Sequence, residues 1–118
     1  MTREEFKART QEYALRLIKV VDSLPEDPVA RTIGRQLLRC GASVGANYRA
    51  SIRARSRADF IAKMGIVEEE CDESLYWMEL LIASGRMTSA RLTDLQREGG
   101  EILAITVASI KTARHGKT

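Results

Sequence analysis

Histidine is almost missing from this chain of 118 residues, which has only His115. Metal centres and most hydrolytic mechanisms need His, Cys, Asp and Glu converging on one point, and a lone histidine in a polar C-terminal stretch supplies no such cluster. A di-iron site in a helical bundle needs Glu-x-x-His pairs on two helices, and the sequence contains none. The small-residue run GASVGA (Gly41–Ala46) lacks the Lys-Ser/Thr that would make it a phosphate loop. The expectation is a protein without catalytic residues, cofactor or metal.

Other shortages narrow the class further. Proline occurs only at Pro25 and Pro28, and no Gly/Ser-rich linker, low-complexity tract or repeat divides the chain. Residues 1–118 therefore read as one domain, and with 44% hydrophobic residues it can bury a continuous core unaided. No stretch of ~18 apolar residues occurs, and the start MTREEFKARTQEY lacks the apolar segment of a signal peptide. A cytoplasmic location without a membrane partner is expected. Cys40 and Cys71 are the only cysteines. Each falls on an apolar helical stripe, which predicts free buried thiols rather than a disulfide.

What the sequence does have is helical periodicity with clear punctuation. Thr2 and Glu5 form a capping-box signature, and Phe6, Tyr13, Leu17, Val20, Val21 and Leu24 follow at helical spacing. This predicts a first helix over 3–22, stopped by SLPEDP. Asp27 is a natural N-cap with Pro28 at the first helical position, opening a second helix over 28–55 on Ile33, Leu37, Cys40, Val44, Tyr48 and Ile52. Gly41 and Gly45 should each cost about 1 kcal/mol inside it, so they predict either close approach of another backbone or a loop. Ser56 and Asp59 repeat the capping signature for a third helix over 57–84, with Gly85 at its C-terminal cap. Thr88 or Ser89 opens a fourth over 89–114, weakened at Gly99 and Gly100, which mark a kink or a close contact. No segment alternates with period two. Four amphipathic helices on short links cover one another most simply as an all-α, antiparallel up-and-down four-helix bundle.

Charge is distributed unevenly along this framework. Arg35, Arg39, Arg49, Arg53, Arg55, Arg57 and Lys63 face one acid, Asp59, whereas Glu68, Glu69, Glu70, Asp72, Glu73 and Glu79 follow with no base before Arg86. At 100° per residue, Arg31, Arg35, Arg39, Arg49, Arg53 and Arg57 fall within about 40° of one line on the second helix, opposite its apolar stripe. Ala42 and Ala46 interrupt that line. Solvated faces usually mix signs, so an acid-free ridge suggests nucleic-acid phosphates, an acidic neighbouring subunit or a protein partner, with a merely solvated face as the remaining alternative. On the third helix Ile66, Glu70, Glu73 and Trp77 stand beside the core stripe. They read either as an oligomer interface or as a broad core face that Trp77 fills. Glu70 and Glu73 either pair with arginines such as Arg49 or Arg53, within the chain or across an interface, or simply stand in solvent. Trp77 and Phe60 are expected to be buried, which disfavours recognition of single strands by stacking.

The segments GANYR (Gly45–Arg49), SRADFIAKMGI (Ser56–Ile66), Glu70 and Glu73 followed by YWMELL (Tyr76–Leu81), and EILAITVASIKTAR (Glu101–Arg114) carry a resemblance. In them the chain resembles the 23S rRNA-intervening sequence protein family, small bacterial four-helix bundles. The resemblance implies a ring-shaped homopentamer without known catalytic residues. It also implies kinship with the accessory proteins of diversity-generating retroelements, basic pentameric barrels that bind nucleic acid and a reverse transcriptase. Asn47, Tyr48, Arg49, Asp59, Phe60, Lys63, Glu70, Glu73 and Trp77 match the family's pattern. Ala50 stands where Glu is common and Ala62 where His is frequent. The lost acid makes the second helix more basic.

Overall fold

A computed structural model describes residues 1–116 of the chain. Its elements are α1 (Arg3–Asp22), α2 (Pro28–Ser51), α3 (Arg57–Ala83) and α4 (Ser89–Arg114). The capping signals act where they were expected. Thr2 Oγ1 accepts the Glu5 N–H at 3.0 Å while the Glu5 carboxylate accepts the Thr2 N–H at 3.0 Å, which completes the box. Asp27, Ser56 and Thr88 accept N–H groups of the first turns of α2, α3 and α4. Gly85 ends α3 with φ +76°, its N–H reaching the Ile82 carbonyl and that of Arg86 the Leu81 carbonyl. This pair of bonds is the Schellman arrangement, and it needs a residue at ease with positive φ.

The helices run antiparallel in sequence order, each pair of neighbours joined by a short turn. Glycine registers the α1–α2 seam. A Cβ on Gly41 would lie 2.1 Å from Leu17 Cδ1, so the absence of a side chain there is what admits Leu17. The expected loop alternative for Gly41–Ala46 does not occur, because these residues are helical. Gly99 plays the same part in α4, where a Cβ would stand 2.6 Å from the Tyr13 hydroxyl and 2.8 Å from Leu75 Cδ2. It marks a close contact, whereas nothing lies within 4 Å of a Cβ built on Gly100.

One core runs the length of the bundle, with Tyr13, Leu17, Leu37, Val44, Met64, Met78, Leu81, Leu92 and Ile102 fully buried. The Tyr13 hydroxyl lies 2.8 Å from Ser74 Oγ. Ser74 donates its own proton to the Cys71 carbonyl at 2.6 Å, so Tyr13 is the donor of the pair. Burial pushes the Tyr13 hydroxyl well above the usual tyrosine range. Cys40 and Cys71 are both free and buried as expected, and desolvation pushes each thiol up to about 12, which makes them inert. Among the described residues no helix is long and apolar enough to cross a membrane.

The α2–α3 seam is the most extensive and the α1–α4 seam the least. Arg9 bridges that weaker seam through Glu98 at 2.7 Å and Glu101 at 2.6 Å. The two ends of the rod, which is 47 Å long, are therefore closed differently. At one end the α1–α2 and α3–α4 loops are joined by Arg86 to Asp27 at 3.2 Å, over the buried Met87. At the other lie the start of α1, the α2–α3 turn and the end of α4.

Candidate nucleic-acid interface

Helix α2 stops at Ser51, four residues before the expected end at 55. Ser51 Oγ donates to the Tyr48 carbonyl at 2.7 Å, and the N–H groups of Arg53 and Ala54 turn back three residues to Ala50 and Ser51, which tightens the last turn. The cap of α3 then takes the chain, since the Asp59 carboxylate accepts the Arg55 N–H at 3.2 Å and Ser56 Oγ accepts the Asp59 N–H. The placement of all six arginines along α2 is therefore corrected. Arg31, Arg35, Arg39 and Arg49 lie on the helix, Arg53 lies in the turn, and Arg57 opens α3.

Arg39 is engaged within the chain. Although exposed, it bonds across the α2–α3 seam to Glu70 at 3.2 Å and to Glu73, and Gln36 orients it at 3.0 Å. Glu73 also accepts the Trp77 indole N–H at 2.9 Å. That bond first, and Arg39 second, hold the Glu73 carboxyl below the usual carboxylate range, while Glu73 raises the Arg39 guanidinium. Thus, of the alternatives open for Glu70 and Glu73, pairing within the chain is the one found, with Arg39 as the arginine, and three of the four expected interface residues form a cluster within the chain. Trp77 is half-buried against the core with its ring edge-on to Tyr76 at 5.1 Å, while Ile66 remains 41% exposed.

What remains of the ridge is two separated groups. Arg31 and Arg35 flank a surface depression beside the α1–α2 loop. Arg49 lies roughly 21 Å further along the α2 axis, at 1.5 Å per residue from Arg35. There it borders a shallow groove over Ala42, Gly45 and Ala46, with Lys7 across from it on α1. Arg53, Arg55 and Arg57 continue this second group around the turn, all exposed. Arg49, Arg53, Arg55 and Arg57 have no ion-pair partner among the described residues. Asp59, beside the turn, is taken by Lys63 at 2.7 Å, a bond that holds its carboxyl below the usual range. Arg3, Lys111 and Arg114 belong to the same end, as do Glu4 and Glu5. Arg3, Arg55 and Arg114 lie off the α2 line, so periodicity on a single helix does not reveal them.

Beside this basic group is a groove of about 700 Å³ between the start of α1, the α2–α3 turn and the end of α4. Ile52, Phe60 and Ile105 supply its apolar surface, and Arg3 and Arg57 its charge. The expectation that Phe60 is buried is corrected, for it is half-buried and lines the opening. Among the described residues no fifth element covers it.

These features define an all-α bundle that carries a basic, partly apolar end. Among the described residues no three His, Cys, Asp or Glu side chains converge as metal ligands. The chain belongs to the 23S rRNA-intervening sequence protein family, whose profile matches residues 4–108. It is also similar to a crystal structure from Bacteroides thetaiotaomicron, described as a protein with unknown function from the S23 ribosomal protein family. That chain is 34% identical, with a TM-score of 0.87 over 95% of this chain and 100% of the other. No curated protein matches.

Proposed function

We propose that the chain is a non-enzymatic, homo-oligomeric bundle whose basic end binds RNA or DNA through phosphates, with little direct reading of base edges. The observation that carries this reading is the run Arg49, Arg53, Arg55 and Arg57, exposed and without ion-pair partners among the described residues. Arginine's planar fork suits phosphate oxygens, and unpaired guanidiniums bind them without first breaking an existing salt bridge. Association of copies is supported by the exposed Leu15, Ile18, Ile66, Tyr76 and Val107, more apolar surface than a lone bundle needs. A labelled RNA and a labelled duplex DNA titrated at two salt concentrations test the reading. Binding should weaken steeply with salt and fall with Arg49→Glu and Arg53→Glu. Absence of binding at low salt, or indifference to both substitutions, refutes it.

A second reading is favoured by Glu69 and Asp72, which are exposed on α3 and, among the described residues, outside any ion pair. The basic end of one copy and this acidic face of the next are complementary, which suits a structural or adaptor assembly. In that case Arg49→Glu dissociates the oligomer in light scattering.

A further inference from the structure

Phosphate contacts explain the arginines on the outside of the turn but not the groove next to them. The groove combines features that a phosphate surface alone does not need. Its volume of about 700 Å³ falls within the range of ligand sites, roughly 300–1,000 Å³. It has an aromatic ring, Phe60, beside Ile52 and Ile105. Two guanidiniums, Arg3 and Arg57, stand at the same opening, and the hydroxyls of Ser109 and Thr112 line the α4 side. A small side chain, the exposed Ala108, keeps the α4 wall low.

The occupant must therefore be flat or apolar at one end, anionic at the other, and able to use hydroxyl partners. An unpaired nucleotide has all three properties. A duplex has the anion but hides its base faces in the stack. Position favours the same choice, because Arg53 and Arg55 lie on the turn that carries the groove's Ile52 and Ala54. A strand whose last base enters the groove has its preceding phosphates within reach of that turn.

We propose that this groove receives an unpaired nucleotide of a single-stranded nucleic acid, its base against Phe60 and its phosphate held by Arg57 and Arg3. The proposal rests on the phosphate-binding reading above and makes it selective for single strands or unpaired ends. Base–aromatic stacking tolerates any sequence because every base has a π-face, so preference for strandedness without preference for sequence is expected.

The test compares a labelled single-stranded oligonucleotide with a blunt duplex of the same length by fluorescence anisotropy on the full chain. The single strand should bind more tightly. Phe60→Leu, which keeps an apolar side chain but removes the ring, should weaken it about tenfold and change duplex binding less than twofold. Ala108→Trp, an exposed position whose new ring would fill the groove, should do the same without touching the core, so the test stands even if Phe60→Leu folds poorly. Equal binding of the two nucleic acids, or equal loss for both with Ala108→Trp, overturns the groove while leaving the phosphate surface standing. Binding of neither overturns both. If Ala108→Trp dissociates an oligomer in light scattering, a second copy fills the groove and the proposal is wrong.

Discussion

The two ends of the bundle handle charge and apolar surface in opposite ways. At the α1–α2 and α3–α4 loops, Asp27 both caps α2 and receives Arg86, its carboxyl held low first by the Ala30 N–H and then by that arginine. Gly85 closes α3 in a left-handed turn and Met87 is buried beneath. At the other end a turn of similar length leaves Arg53, Arg55 and Arg57 exposed and Phe60 and Ile52 half-buried along an open groove. Both turns solve the same problem of reversing a helix. Both spend a side chain on capping the next helix, but only one also pairs its arginine, and the arginines left over are where an external partner gains most.

The largest effect expected from this contrast is on binding. Reversing Arg53 and Arg57 together to Glu should lower nucleic-acid affinity on the order of a hundredfold at low salt, since phosphate contacts dominate such complexes. The matched pair Arg31→Glu and Arg35→Glu, near the closed end, should cost only a few-fold. Equal losses in an anisotropy titration would mean that the whole helix, and not one end, meets the ligand. Next comes stability. Met87→Ala should cost about 2–3 kcal/mol in urea unfolding, as expected for truncating a buried methionine, whereas Ile52→Ala beside the groove should cost roughly 1 kcal/mol. A larger loss at Ile52 would show that the open end carries as much packing as the closed one.

The contrast also separates what the sequence reveals from what it hides. Helix starts were legible at Thr2, Asp27, Ser56 and Thr88 because an N-cap is a local bargain between one side chain and N–H groups two or three residues on. The core stripes were legible for the same reason, since period and burial are properties of each helix alone. The end of α2 was not, because neither Gly nor Pro marks it and the Ser51-to-Tyr48 bond arises only once the helix has formed. The partner of Glu70 and Glu73, Arg39, was left open because it depends on the register between α2 and α3. That register is set by packing across the seam, and no spacing within one helix encodes it. Phe60 shows a similar limit, as a stripe residue in the first turn of α3 where the bundle runs out and leaves it half-covered.

Smaller perturbations probe how the closed end and the weak seam are held. Gly85→Ala should destabilise by about 1 kcal/mol, since an L side chain is strained at φ +76° although nothing within 4 Å would crowd its Cβ. The same measurement on Gly100→Ala, inside α4 with open space around it, should show a gain of up to about 1 kcal/mol. Opposite signs would confirm that backbone conformation, rather than room for a methyl group, decides both.

The smallest expected effect concerns acid. Arg9 holds the Glu98 carboxyl below the usual carboxylate range, on the seam where α1 and α4 touch least. A carboxyl with a depressed folded-state pKa contributes stability that is complete above its unfolded value, about 4.3, and lost as pH falls through the folded value. Being partly exposed, the pair should be worth no more than about 1 kcal/mol. Glu5, Asp27, Asp59 and Glu73 are depressed in the same direction, so the total acid dependence exceeds the share of Glu98. The difference between the chain and Glu98→Gln isolates that share. It should be present at pH 6, shrink below pH 4.3 and vanish once Glu98 is protonated. Hydrogen exchange should show the first amides to open in acid on α1 and α4 toward the groove, where Arg9 is the last ion pair before the end of the seam. Opening that begins instead at the loops joined by Arg86 and Asp27 would reverse the assignment of closed and open ends.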